Sequence, residues 1–255
     1  LIGNPNLRRF DSRAKTNATH DFTIDVKLPG MLTAVMIHPP KFGAVVKTFD
    51  ASKAKAMKGV VDVVATPRGI AVVGEHMWAA LAARDAVAVT WDESKAETRG
   101  SAAILADYAK RAAGAPQAVA RNDGDAAKAL AGAAKTIEAT YRFPYLAHAA
   151  MEPLNAVARM NTDGTLEVWG GLQLPGLYQA VAAQVAGIKP DQVVMHILKT
   201  GGGFGRRGTP DADVIAEAVM VAKAIGYKAP VKVQWTREND MRGGRYRPAY
   251  VHRLR

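Results

Sequence analysis

Val193-Val194-Met195-His196-Ile197-Leu198, then Lys199-Thr200 and Gly201-Gly202-Gly203-Phe204-Gly205-Arg206-Arg207-Gly208, is the stretch that decides how this chain is read. The first six residues are β-branched or apolar and predict a strand. Beyond the glycines, Val214, Ala218, Val221 and Ile225 recur at helical spacing, with Ile215, Val219 and Ala222 beside them. Thr209 is placed to cap that helix and Pro210 suits its first position. Four glycines in five residues remove nearly every Cβ from the loop, so the backbone can approach a bound group and aim N–H groups at it. A helix start just behind favours negative charge there, and Arg206 and Arg207 could add forked donors. That chemistry suits a phosphate-bearing cofactor.

The residues alone leave other readings open. Gly203 to Gly208 formally satisfies the G-x-G-x-x-G dinucleotide pattern, which also wants an acidic residue about 20 positions on, at the end of the next strand. That strand is expected over Val231–Thr236, and the first acid after it is Glu238. An NAD-binding dehydrogenase domain is thus the weaker dinucleotide reading, and a glycine-rich turn holding nothing is another. A non-catalytic binding or assembly module that grips an anion in the loop is the third alternative to an enzyme.

Outward from the loop, the pattern alternates short strands with short helices, an α+β organisation. Residues 1–20 are polar and read as a leader or linker. Phe22, Ile24 and Val26 alternate with polar neighbours and predict a strand, followed by strands over Leu32–Ile37, Val45–Phe49, Val60–Ala65, Ile70–Val73 and Val87–Trp91. A short helix is expected over Ser52–Lys58, stopped by Gly59, and another over His76–Ala86. Residues 21–97 form one unit and the looser 98–124 a connection, with a helix near Ala102–Ala113. Residues 125–255 begin a second unit. In it, Asn161-Thr162-Asp163-Gly164 signals a hairpin between strands Leu154–Met160 and Thr165–Trp169. Gly176–Ala186 reads as a helix ended by Gly187.

Composition narrows the function classes. With no cysteine, the chain holds no disulfide, iron–sulfur cluster or thiolate zinc site. No run approaches the roughly 18–20 apolar residues of a membrane helix. The net charge of +11 invites a nucleic-acid reading, and residues 199–255 carry twelve Lys and Arg against five Asp and Glu. No recognition helix, RNP-like strand or zinc knuckle accompanies that charge, so nucleic acid is not expected as a partner. An acidic partner or a phosphorylated cofactor accounts for it equally well.

Gly201–Arg207 resembles the cofactor loop of the xanthine dehydrogenase and aldehyde oxidase superfamily, and its double arginine is similar to the isoquinoline 1-oxidoreductase branch. His148-Ala149-Ala150-Met151-Glu152-Pro153-Leu154-Asn155, the Trp169–Gln173 strand end, Gly187–Val193, Pro230–Asp240 and Tyr246-Arg247-Pro248 resemble that branch in order and spacing. Asp25 to Met31 and Pro39-Pro40-Lys41-Phe42-Gly43 are similar to its α/β hammerhead domain. The likeness covers nearly the whole chain.

This resemblance implies a hammerhead domain at 21–97 and, at 125–255, the first part of a molybdopterin-binding domain of a large subunit. It implies molybdenum on a molybdopterin dinucleotide, of the cytosine form in bacteria, and oxidation of an N-heterocycle or an aldehyde with water as the oxygen source. Electrons would pass to [2Fe–2S] clusters on a small partner subunit, with a cytochrome c as a further acceptor. Gln173 would hydrogen-bond an oxo ligand of the metal, since its amide donates without adding charge. Phe204 and Gly205 would lie against the metal and dithiolene, and Gly202, Gly203 and Arg206 would shape the loop. No residue of this chain is expected to bind the metal directly. Xanthine-oxidising members carry a glutamate four residues after the loop phenylalanine. Here that place is Gly208, so a purine substrate is not expected. The family's general-base glutamate lies far towards the carboxyl end of a longer subunit and has no counterpart here. These 255 residues are therefore expected to be part of a larger subunit, cofactor-free and inactive alone. Members of this branch often carry a twin-arginine leader, so periplasm and cytoplasm both stay open.

Other candidates are weaker. His148, Met151 and Glu152 suggest a metal or acid–base cluster, but without a second ligand pair at suitable spacing they read as structural. The four serines occupy no nucleophile elbow. Trp78, Trp91, Trp169 and Trp235 read as core or interface anchors. Glu238 and Asp240 are expected to pair at the surface with Arg237 and Arg242.

Overall fold

The computed structural model describes residues 2–255. Two compact units appear: one comprises the chain up to Ala96 together with His148–Arg245, the other Glu97–Ala147 with Tyr246–Arg255. In the first unit a helical turn, α1 (Ser12–Thr16), precedes β1 (Leu32–Ile37), β2 (Val45–Asp50), α2 (Ser52–Lys55), β3 (Val60–Thr66), β4 (Gly69–Gly74), α3 (Met77–Arg84) and β5 (Ala88–Asp92). The second unit holds α4 (Ser101–Ala112), α5 (Ala126–Ala131) and β6 (Ala139–Phe143). The first unit then resumes with β7 (Asn155–Met160), β8 (Leu166–Gly170), α6 (Pro175–Ala186), β9 (Val193–Ile197), α7 (Asp213–Ala224), β10 (Val231–Gln234) and α8 (Arg237–Arg242), and β11 (Tyr250–Leu254) returns to pair antiparallel with β6. No helix among the described residues is long and apolar enough to cross a membrane.

The first unit is built on a seven-stranded sheet in the order β3-β4-β1-β10-β7-β8-β9. Most neighbours run antiparallel, but β1 pairs parallel with β10 and β8 parallel with β9. The near-continuous apolar runs of β1 and β4 follow from burial on both faces. Ala34, Met36, Ala71 and Val73 point into a core with α6 and α7, whereas Val35, Ile70 and Val72 point into a second core with Ala54 of α2 and Ala80 and Ala83 of α3. Helix α7 is buried along almost its whole length, and Ala218 and Ala222 with Ala182 and Ala183 of α6 are small enough to let the two helices meet closely. Each fully buried Val or Ile here contributes about 1.5–3 kcal/mol relative to exposure.

The strands between Leu32 and Trp91 and the Asn161–Gly164 hairpin form where the sequence predicts them, and α6 ends at Gly187 in the left-handed region (φ +83°). Three expectations are corrected. Residues 22–26 are not a strand: the Asp25 carboxylate accepts the Phe22 N–H (2.9 Å) and closes a 3₁₀ turn over Thr23–Asp25, leaving only a single bridge from Phe22 to Lys199. Helix α7 begins at Asp213 rather than at Thr209-Pro210. The Thr209 N–H is taken by the Tyr178 hydroxyl (2.7 Å), and Ala212 turns left-handed (φ +46°) before the helix starts. The strand expected to reach Thr236 stops at Gln234, because Thr236 caps α8 by accepting the Asn239 N–H.

Candidate functional site: the glycine loop beside Gln173

The parallel pairing of β8 with β9 sets their carboxyl ends side by side, the arrangement at which open sheets commonly offer a crevice. The segment after β8 therefore runs against the loop after β9. Leu198 donates to the Gly170 carbonyl (3.0 Å), and a Cβ on Gly171 would lie 2.5 Å from the Thr200 Cβ. Gly171 is thus required for the close approach. Two residues further on, the Gln173 N–H donates to the Arg207 carbonyl (2.9 Å), and the Gln173 Oε1 accepts the Arg207 N–H (3.2 Å).

The segment 148–155 forms the other wall. Glu152, only 7% exposed, accepts from the Ile24 N–H (3.1 Å) and Asn155 Nδ2 (2.8 Å) on Oε1, and from the Thr200 hydroxyl (3.0 Å) and the Gly201 N–H (2.6 Å) on Oε2. Gly201 has no room for a side chain, since its Cβ would stand 2.8 Å from that of Glu152. Arg237 donates to the Ala150 (2.6 Å) and Met151 (2.9 Å) carbonyls and pairs with Asp240. Asp240 is buried, not at the surface as its sequence context suggested. Burial raises its carboxyl above the usual range even though Arg237, Arg206 and Arg207 oppose that shift. Met151 is exposed, and no group of three or more His, Asp or Glu that could hold a metal ion occurs among the described residues.

The two loop arginines do not face outward, which overturns the expectation of forked donors for an anion. Arg206 is 3% exposed and makes a two-point pair with Asp213, from its two terminal nitrogens to the two carboxylate oxygens (3.1 and 2.6 Å), with its guanidinium 5.3 Å from the Trp235 ring centre. Arg207, equally buried, donates from Nε to the Gly202 carbonyl (2.9 Å) and from a terminal nitrogen to the Glu152 carbonyl (2.8 Å). Burial lowers its pKa. Asp213 also accepts the Val214 N–H (3.0 Å), so the positive end of α7 is already answered by a carboxylate of this chain. Both arginines lock the loop from within.

What the loop leaves open is backbone. The N–H groups of Gly201, Gly202, Arg206, Arg207 and Gly208 have acceptors inside the protein, whereas those of Gly203, Phe204 and Gly205 have none among the described residues. Phe204 and Gly205 are exposed and carry positive φ (+54° and +91°), as does Gly202 (+106°). A non-glycine residue held left-handed costs about 1 kcal/mol or more, and such strain gathers at sites of function. Phe204 is 65% exposed, and its ring lies next to Gly202, where a Cβ would meet it at 3.2 Å. A Cβ on Gly203 would stand 3.0 Å from the Gln173 Oε1. Gln173 thus borders Gly203, and Phe204 borders Gly202, on a loop whose Phe204 and Gly205 are exposed. With its Oε1 engaged, Gln173 keeps its Nε2 amide as the donor on offer. Three successive amides, a cradle that a Cβ would fill and a neutral side-chain donor fit an oxygen-rich or anionic group.

Topology removes the NAD reading. A dinucleotide fold needs β9, α7 and β10 to form a parallel βαβ unit, but β10 lies beyond β8 and β7, beside β1. A family model, the molybdopterin cofactor-binding domain, matches residues 110–255. The chain belongs to that family, within the xanthine dehydrogenase superfamily. Over its full length it is 33% identical to the isoquinoline 1-oxidoreductase subunit beta of Brevundimonas diminuta, covering 33% of that protein. Its fold is that of two solved enzymes, each with a TM-score of 0.70. Quinoline 2-oxidoreductase from Pseudomonas putida 86 is 19% identical, with 92% of this chain and 34% of that one aligned. The aldehyde oxidoreductase of Desulfovibrio gigas is 20% identical, with 94% and 31% aligned. The chain spans about a third of the length of each.

Sequence reasoning passed over Tyr178, Asp213 and Glu217. Buried Glu217 accepts the Trp235 indole N–H (2.6 Å) and pairs with His38 (2.8 Å), fixing the Trp235 ring that Arg206 lies over. Asp213 and Glu217, four residues apart among the apolar residues of α7, were the legible signal: buried acids need partners.

Proposed function

We propose that this chain contributes the glycine-loop wall of the cofactor site in a molybdenum hydroxylase large subunit. The whole subunit would oxidise an N-heterocycle or an aldehyde with water as the oxygen source and pass electrons to [2Fe–2S] clusters on a small partner subunit. In this reading residues 21–97 are the hammerhead domain, and the cofactor is the cytosine dinucleotide form. The observation that carries the proposal is the run of three acceptor-less N–H groups at Gly203–Gly205 beside exposed Gln173.

When bound, the molybdopterin supplies the two-electron redox centre. The residues of this chain hold and shield it. Gln173 Nε2 donates a hydrogen bond to an oxygen of the group without adding charge. Gly202, Gly203 and Gly205 let the backbone come close, and the open N–H dipoles of Gly203, Phe204 and Gly205 stabilise negative charge without reorganising. The exposed Phe204 ring covers one side and excludes water. Arg206 acts through the loop, tying it to Asp213 on α7.

Gln173→Ala in the complete subunit, expressed with the cofactor pathway, tests this. Removing one such donor is expected to cut turnover about 10²-fold or more, while the midpoint of thermal unfolding shifts by no more than a few degrees. Matching losses of turnover and stability would make Gln173 structural. A complete subunit that retains no molybdenum and no cytidine nucleotide would refute the proposal outright.

A further inference from the structure

We propose that Glu152 is a positioning residue: its carboxylate clasps the loop and sets where the three open amides stand. The inference rests on the function proposed above for that loop, but its first readout does not.

Glu152 touches both ends of the loop. Its Oε2 holds the entry, through the Thr200 hydroxyl and the Gly201 N–H, and its own N–H donates to the Gly201 carbonyl (3.2 Å). Its carbonyl accepts from Arg207 at the exit, and the same guanidinium reaches back to the Gly202 carbonyl. Oε1 is anchored away from the loop, on the Ile24 N–H and the Asn155 amide at the start of β7. One buried side chain therefore fixes the loop to two segments distant in sequence. Its four partners are all donors, so both oxygens must act only as acceptors. A carboxylate meets that demand; a carboxamide, with one acceptor and one donor end, does not. Exchanging oxygen for NH₂ would set a donor against either the Gly201 side or the Ile24 side. The glycines of the loop supply no side-chain packing of their own, so its position depends on this clasp together with the Arg206 and Arg207 bonds.

Glu167 on β8 is the natural control. It too is a largely buried carboxylate with several partners, Arg159, Asn161 and His196, but none of them belongs to the loop. Burial works against its charge, yet the hydrogen bonds from those three side chains prevail and hold its carboxyl down to about 2.

The experiment compares Glu152→Gln and Glu167→Gln in the complete subunit. It reads hydrogen exchange at the bonded loop amides, those of Gly201, Gly202, Arg206, Arg207 and Gly208, in cofactor-free protein, then molybdenum content after expression with the cofactor pathway. Glu152→Gln is expected to speed exchange in the loop at least tenfold and to lower molybdenum content severalfold. Glu167→Gln is expected to leave both unchanged at a similar loss of thermal stability. Should Glu152→Gln fail to fold, Thr200→Ala and Asn155→Ala replace it, each removing one donor from one oxygen. The loop-side change is then expected to speed loop exchange more than the strand-side one. Equal effects of those two, or unchanged loop exchange in Glu152→Gln, overturn the proposal. If wild-type protein binds no molybdopterin while Glu152→Gln still loosens the loop, the clasp stands and the proposed function falls.

Discussion

The Asn161–Gly164 turn and the Gly201–Gly208 loop both follow a strand of the same sheet, and both use glycine at positive φ, yet they are held in different ways. In the hairpin the bonds all lie within the turn, and only the Thr162 and Asp163 N–H groups at its tip lack an acceptor among the described residues. The Asn161 N–H donates to the Thr165 carbonyl (2.8 Å) and the Gly164 N–H to the Asn161 carbonyl (3.1 Å). The Thr165 N–H and hydroxyl both reach the Asp163 carboxylate. In the glycine loop the two arginines are turned inward and bonded there, apart from Arg206 Nε and one terminal nitrogen of Arg207, while three consecutive backbone N–H groups have no acceptor among the described residues. The turn is held by its own residues and leaves open only the two amides of its tip. The loop, with three consecutive open amides, is held by partners beyond itself, the Arg206–Asp213 ion pair and the bonds of Arg207 and Glu152.

This contrast breaks most severely at Arg206. Arg206→Ala leaves the Asp213 carboxylate buried and unpaired, which costs about 3–5 kcal/mol, read as a lowered denaturant midpoint. A loss under about 1 kcal/mol would mean that the loop is not locked from within. Next comes Gly201→Ala. Its Cβ meets Glu152 side chain and backbone at 2.8 and 3.2 Å, neither of which can move freely, and overpacking of that kind costs about 1–3 kcal/mol. Gly164→Ala is smaller. The hairpin glycine has open space around its Cβ position, so only the left-handed backbone (φ +83°) is penalised, by about 1–2 kcal/mol. If Gly164→Ala proved costlier than Gly201→Ala, close packing would not be what fixes the loop.

Much of the fold was legible because local rules and tertiary packing agreed. The β-branched runs of β3 and β4, the Asn161–Gly164 turn and the Gly187 stop all depend on neighbours in sequence. Two of the failures share one physical origin. The loop arginines and the start of α7 are decided by partners far along the chain, Trp235 for Arg206, Glu152 for Arg207 and Tyr178 for Thr209, whereas the 3₁₀ turn at Thr23–Asp25 is closed locally by the Asp25 carboxylate. Arg206-Arg207 beside glycines looks like an anion grip to any reading by spacing. Only the pairing of Asp213 with Arg206, and the two carbonyls on Arg207, show the grip to be internal. At the site, composition singled out the glycines and resemblance singled out Gln173, and the structure sets Gln173 beside Gly203. The wall that holds them, centred on Glu152, was recognised as structural without its connection to the loop.

The smallest expected effect on stability sharpens the comparison furthest. Gly203 has no positive φ to protect, and the Cβ of a Gly203→Ala variant would meet the exposed Gln173 side chain at 3.0 Å, a flexible end that can swing aside. The swing gives up the Arg207 N–H bond to Oε1, so stability should fall by about 0.5–1 kcal/mol. It also removes Gln173 from the open amides, and the new methyl sits where a bound group would approach the Gly203 N–H. In the complete subunit, molybdenum content is expected to fall severalfold while the unfolding midpoint moves by only a few degrees. A loop whose glycines served only the chain reversal would show the reverse: full molybdenum content, with whatever small loss occurs appearing in stability alone.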